Sequence, residues 1–302
     1  MKHKSNNNLG YWILYGACYL LALLPWFVLY LISDLLFGVI YYLVGYRREI
    51  VRINLKNSFP EKNEKDIVRI EKEFYHFLCD YFVETIKLLH ISDEEVKRRM
   101  IFENPELINE LTKDGNSCLL SLGHYGNWEY VSSIGFYLSP QIVQGQIYKK
   151  LKSEAFEKFF LKIRSRFSPQ CIEMKSAVRT IIRNKRQGAA MAIGFLSDQR
   201  PSRNLDQYWT RFLNQETLVL TGMERIARQF GFAIVYLDIK RISRGHYSGR
   251  FSLITIDASQ EEEFAITEKY MRLLESTIRR DPPYWLWSHN RWKFEKKTEN
   301  KS

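Results

Sequence analysis

At 302 residues, with 45% hydrophobic and 15% aromatic residues, the chain can bury a large core, which excludes a disordered chain. Its net charge of +11 favours anionic partners such as phospholipid headgroups, acidic carriers or nucleic acid, without choosing among them. The four cysteines (Cys18, Cys79, Cys118, Cys171) are scattered, with no CxxC pair and no zinc-type spacing, so a reducing compartment and no structural metal are expected.

Residues 11–46 form a long apolar, aromatic-rich stretch, interrupted only by Pro25 and by Ser33-Asp34. Residues 11–32 carry no charge and reach the roughly 20 residues that cross a bilayer. The run is too long for a signal-peptide core and no small-residue cleavage site follows it, so a retained anchor is expected. Two geometries fit. One is a span over residues 11–32 with 35–44 at the interface; the other is a hairpin bent near Pro25 or Asp34 that dips into one leaflet. A buried helical pair in a soluble protein is the third reading. Arg47, Arg48, Arg52 and Lys56 make the far flank more basic than the N-terminus, which predicts a cytoplasmic main domain.

Beyond the anchor, residues 47–59 carry a basic face and stop at Phe59-Pro60. Residues 62–90 repeat apolar positions at helical spacing and predict a long amphipathic helix. Short helical pieces over 93–99 and 105–113 flank a short strand or loop at 101–104. From Ser117 the pattern changes to apolar runs alternating with helical segments. Strands are expected at 118–122, 142–148, 171–174, 189–196, 233–241 and 249–256, the last two antiparallel. Helices are expected at 127–138, 153–167, 176–186, 217–230 and 261–279. Unbroken apolar strands alternating with helices predict an α/β fold, a mixed sheet sandwiched by helices, with an N-terminal membrane-anchoring helix. The expected division is an anchor over 1–46, a helical segment packed on the catalytic domain over 47–116, and an α/β catalytic domain over 117–302.

The stretch Gly123-His124-Tyr125-Gly126-Asn127-Trp128-Glu129 places a histidine and a carboxylate where a strand gives way to a helix. On one continuous helix the two would point about 140° apart. They can meet only if the helix starts between them, with Asn127 as a plausible N-cap. Glu129 would then hold one ring nitrogen of His124 while the other takes a proton from a hydroxyl. No G-x-S-x-G elbow is present and no serine stands out as a nucleophile. The basic helix over 176–186 reads as a solvated face, or as a contact for acidic carrier protein or lipid phosphates. Trp285, Trp287 and Trp292 either cap the core or anchor at a membrane interface. His289 reads as structural.

On these residues the chain resembles the late acyltransferases of lipid A biosynthesis, within the lysophospholipid acyltransferase superfamily that shares a His-x4-acid motif (His-x4-Glu here). The resemblance covers nearly the whole chain. Arg52-Ile53-Asn54-Leu55 and Ser58-Phe59-Pro60 follow the membrane helix, and Gly123-His124 through Trp128-Glu129 match the catalytic motif. Tyr148-Lys149 stand where Tyr-Arg-Pro is common, Arg164 where a functional arginine falls, and Leu196-Ser197-Asp198-Gln199 at the Asp-Gln strand end. Trp287, His289, Arg291 and Lys293 match the aromatic-basic C-terminal signature. Departures are Lys149-Lys150 for Arg-Pro, Arg200-Pro201-Ser202-Arg203 for a glycine-bearing loop, and residues 209–213 for Phe-Pro-Phe-Phe-Gly.

The resemblance implies transfer of a fatty acyl chain from an acyl-carrier-protein thioester to a hydroxyl of a lipid A precursor. The setting implied is the cytoplasmic side of the inner membrane. His124 would be general base, Glu129 its orienter, and Arg164 or backbone N–H groups near Gly126 the oxyanion donors, with Asp198 positioning Arg164 or His124. Substrate contacts are implied at Asn127, Trp128, Tyr148, Lys149, Gln199 and Arg291. No cofactor, no metal and no nucleic-acid partner are expected. The partners are acyl carrier protein, an anionic glycolipid acceptor and the membrane. Another glycolipid or an aminolipid as acceptor, or a membrane-bound thioesterase, are the alternatives.

Overall fold

Pro25 divides the apolar N-terminal stretch into two helices. The computed structural model describes residues 4–167, 170–201, 208–294 and 296, with side chains from residue 9 onward; Ser202 and Arg203 of the loop noted above lie outside the described residues. Helix α1 (Lys4–Leu23) stops before the proline, which lacks an N–H for the helical ladder and pushes Leu24 out of the helical region. An unbroken helix over 11–32 is therefore not formed. Helix α2 (Trp26–Gly38) runs directly into a π-helical segment, Val39–Val44. Together they make one apolar helix of 19 residues, long enough to cross a membrane.

Helix α3 (Arg48–Ser58) leads to α4 (Glu64–Lys87), capped by the Asn63 side chain on the Asp66 N–H at 3.0 Å. The apolar positions of α4 pack into the core and carry Glu71, Asp80 and Glu84 inward with them. Helix α5 (Asp93–Arg99), β1 (Met100–Phe102) and α6 (Glu106–Leu111) complete this region.

The main sheet draws on β1 and on β2 (Cys118–Leu122), β3 (Val143–Tyr148), β4 (Gln170–Glu173), β5 (Met191–Leu196), β8 (Ala233–Ser243) and β9 (His246–Thr255). Their order is β1-β9-β8-β2-β5-β3-β4. All neighbouring pairs are parallel except β8 with β9. Every residue of β2 is buried, as expected of a central parallel strand covered on both faces. The covering helices include α7 (Glu154–Arg164), α8 (Ala177–Arg186) and α10 (Ala265–Arg280). The mixed α/β sandwich predicted from sequence is the observed fold.

Two further expectations change. The helix expected over 127–138 is a 3-10 segment, Tyr130–Phe136, entered through irregular backbone. The helix expected over 217–230 loses its start to a hairpin of β6 (Tyr208–Phe212) and β7 (Gln215–Val219), leaving α9 as Gly222–Phe230. The hairpin turns on Leu213 and Asn214, both at positive φ (48° and 63°), the conformation of a tight two-residue β-turn.

Candidate active site

Strand register sets the site. Leu122 of β2 lies beside Leu196 of β5, both strands parallel. Two residues beyond each, at the carboxyl edge of the sheet where open α/β folds place ligands, come His124 and Asp198. The His124 Nδ1–H donates to Asp198 Oδ1 at 2.6 Å. The His124 backbone N–H and the Trp285 indole N–H both donate to Asp198 Oδ2 at 2.8 Å. Asp198 is buried, which by itself raises its pKa, but the His124 ring and these donors bring it down to about 2. An ionised Asp198 fixes the Nδ1–H tautomer, leaving Nε2 of His124 as the basic nitrogen. That Nε2 lies 3.2 Å from the Gln199 amide nitrogen.

Glu129 does not orient His124. It forms a bidentate pair with Arg164, Oε1 to Nη2 at 2.6 Å and Oε2 to Nε at 3.0 Å. The backbone from Gly126 to Glu129 is not helical, so Glu129 points towards α7 instead of back to His124. Burial works against the Arg164 charge, but the Glu129 carboxylate more than offsets it and raises the arginine pKa. Nor is Asn127 an N-cap: its amide donates to Oε2 of the buried Glu84 at 2.9 Å, and Tyr247 donates to the same oxygen at 3.0 Å. Burial pushes Glu84 up to about 7.

The histidine loop is clamped by a segment whose role the sequence did not reveal. The Gly126 N–H donates to the Tyr284 carbonyl at 2.9 Å, and the Leu286 N–H to the His124 carbonyl at 3.1 Å. Tyr125 and Trp285 form an antiparallel bridge. Gly126 has φ +58°, and a Cβ there would meet Ile239 Cγ2 at 2.9 Å, so both conformation and space require glycine. Trp285 and Trp287 are fully buried, so they cap the core and do not sit at an interface. Asn54 of α3 donates to the carbonyls of Trp287 at 2.9 Å and His289 at 3.1 Å. The Arg52-Ile53-Asn54-Leu55 signature thus holds the C-terminal tail.

Burial pushes His289 down to about 4, and its Nε2 accepts from the Arg200 backbone N–H at 3.1 Å. Arg291 is 1% exposed, and its guanidinium has no hydrogen-bond partner among the described residues. Burial lowers its pKa to about 10 against the opposing pull of Asp198. It is buried, near enough to Asp198 to feel its charge. Tyr148 and Lys149 sit at the end of β3, on the same sheet edge as the site, with Lys149 exposed.

Trp128 bridges His124 to an apolar cavity. Its ring is edge-on to His124 at 5.1 Å and stacked on Tyr81 at 4.1 Å. The cavity, about 200 Å³, is lined by Trp128, Tyr81, Phe82 and Leu78, by Tyr46 and Arg47 just after the π-helical segment, and by Leu286, Ser288 and His289 of the tail.

A histidine with one nitrogen bound by a buried carboxylate and the other left basic, beside an apolar cavity, is an arrangement able to take a proton from a hydroxyl next to a hydrocarbon chain. Comparison with protein-family models matches residues 2–294 to the bacterial lipid A biosynthesis acyltransferases, and the chain belongs to that family. It is accordingly an acyltransferase with a lipid acceptor. A search of curated proteins finds no match.

Proposed function

We propose that the protein transfers a fatty acyl chain from an acyl-carrier-protein thioester to a hydroxyl of a lipid A precursor, with His124 as general base and Asp198 as its orienter. The carrying observation is the 2.6 Å contact between His124 Nδ1 and Asp198, which leaves Nε2 basic. The acceptor hydroxyl displaces the Gln199 amide from Nε2 and gives up its proton there. Its oxygen attacks the thioester carbonyl, the C–S bond breaks, and the proton passes from Nε2 to the departing thiolate. Asp198 stabilises the imidazolium in between. Arg164, held by Glu129, supplies fixed positive charge for the oxyanion. The apolar cavity receives a hydrocarbon chain. The reaction needs no metal or redox group. The carrier thioester is cytosolic, and the basic flank Arg47, Arg48, Arg52 and Lys56 fits placement on the cytoplasmic side of the inner membrane.

Mass spectrometry of membrane lipids from cells with and without the protein, alongside His124→Ala, tests this. The expected result is one acyl chain fewer on lipid A in the absence of active protein. Unchanged lipid A with another glycolipid or an aminolipid altered would replace the acceptor. Release of free fatty acid from acyl carrier protein without acceptor acylation would make the enzyme a thioesterase.

A further inference from the structure

We infer that the two N-terminal helices lie in the plane of one membrane leaflet, docked side by side on the domain, and do not cross the bilayer. The helix over residues 26–44 is long enough to cross, about 28 Å at helical rise. Its attachments forbid this. At its start, the Lys87 ammonium donates to the carbonyls of Ala22 and Leu24, both at 2.8 Å. In the middle, Ser33 donates to Asp80 at 2.7 Å, and Asp34 accepts from Arg244 of the β8–β9 turn at 2.5 Å. At its end, Tyr41 donates to Glu71 at 2.9 Å. Partners 87, 80 and 71 run down α4 as 22–24, 33 and 41 run from the end of α1 along the second helix. The helix is therefore bound antiparallel to α4 along its whole length.

A crossing helix would drag α4, with its exposed Lys72 and Glu73, and the β8–β9 turn into hydrocarbon. Asp34, His76 and Asp80 come close enough together to suggest a cation site, but Arg244 already bonds both carboxylates. The cluster is a lock between anchor and domain.

The opposite face is apolar and open. On the second helix Phe27, Leu31 and Leu35 recur every four residues, Leu43 follows on its π-helical end, and these are 59–80% exposed; Leu20 and Leu23 at the end of α1 are exposed too. This is the stripe of a helix pair immersed to half its depth. Lipid is the occupant the structure favours over a second copy of the chain. The stripe runs to Tyr46 and Arg47, which line the mouth of the cavity beside Trp128 and His124, so an acceptor could pass from leaflet to site without entering water. Arg47 and Arg48 stand at the same end for anionic headgroups.

This inference rests on the reading of a membrane-lipid acceptor. Its test measures topology alone, so the two can fail separately. In a variant with all four native cysteines replaced, single cysteines are placed ahead of Met1, at Glu61→Cys and at Leu23→Cys. They are probed with a membrane-impermeant maleimide in sealed inverted and right-side-out vesicles. The cysteine ahead of Met1 and Glu61→Cys should label in inverted vesicles only, and Leu23→Cys should never label from the periplasmic side. Labelling of the first two from opposite sides means one span, and periplasmic labelling of Leu23→Cys means two; either overturns the inference. In parallel, the triple variant Phe27→Glu, Leu31→Glu, Leu35→Glu, with the parent's unfolding midpoint, should partition at least tenfold more weakly into phosphatidylethanolamine–phosphatidylglycerol vesicles. Unchanged partitioning, or a parent dimer that the triple variant dissolves with no change in lipid binding, would assign the stripe to a second copy.

Discussion

Two carboxylates stand in the site and the structure gives them different work. Asp198 accepts from the His124 ring; Glu129 holds Arg164. Asp198→Asn would present an amide N–H towards Nδ1, favour the wrong tautomer and leave Nε2 protonated. We expect it to lower turnover about 10²–10⁴-fold with little change in acceptor KM, measured by acyl transfer with purified protein. Arg164→Lys keeps the charge but not the planar fork that matches a carboxylate, so turnover should fall about ten- to a hundredfold. Arg164→Ala leaves the buried Glu129 carboxylate unpaired. It should cost about 3 kcal/mol of stability in urea unfolding, whereas Arg164→Lys should cost less. If Glu129→Gln reduced activity as severely as Asp198→Asn while Arg164→Ala did not, the division of labour would be wrong.

At the scale of elements, the site depends on three chain segments far apart in sequence: the loop after β2, the loop after β5 and the tail. The adjacent ends of β2 and β5 follow from parallel register, and both strands are readable from their unbroken apolar runs. The sequence marked His124 and Asp198 as strand-end residues and left Asp198 open between His124 and Arg164, because strand order is a long-range property. It favoured Glu129 because four intervening residues look local, and the irregular turn through Gly126, at positive φ, defeats that. The β6–β7 hairpin was hidden for a related reason. Its turn uses Leu213 at positive φ, where neither Gly nor Asn announces the geometry; only Asn214 hints at it. The tail read as an ambiguous aromatic cluster because its partners are backbone groups of residues 124–126, which no side-chain pattern encodes. Asn54 ties that tail to α3. Asn54→Ala would strip its amide from the Trp287 and His289 carbonyls, at a cost of about 1–3 kcal/mol. The clamp on the histidine loop should loosen with it. Thermal unfolding should show the loss, and activity well below the new midpoint should also fall; full activity there would show that the loop keeps its shape without the tail.

Across the whole molecule, two buried acids give stability opposite dependences on pH. Asp198 has a folded pKa of about 2, below its ordinary value, so its contribution is complete above about pH 4 and disappears as pH falls towards 2. Glu84 behaves in reverse. Its folded pKa of about 7 lies above the ordinary 4.5, so the native state holds a proton that the unfolded chain has released. Stability from this group is intact below about pH 4.5 and falls as pH rises through 7. Glu84 also sits where the parts of the molecule meet. Oε2 accepts from Asn127 of the histidine loop and from Tyr247 of β9, and Oε1 accepts from Tyr30 of α2 at 3.4 Å. Ionising it places an unpaired charge between α2, loop and sheet. Glu84→Gln keeps the shape and removes the titration. We expect its unfolding free energy to be nearly flat between pH 5 and 8, where the parent declines by about 1–3 kcal/mol. Urea titrations at several pH values would read this directly. Parallel slopes for the two proteins would mean that Glu84 is already ionised in the fold, and that Asn127 and Tyr247 are enough to hold it so.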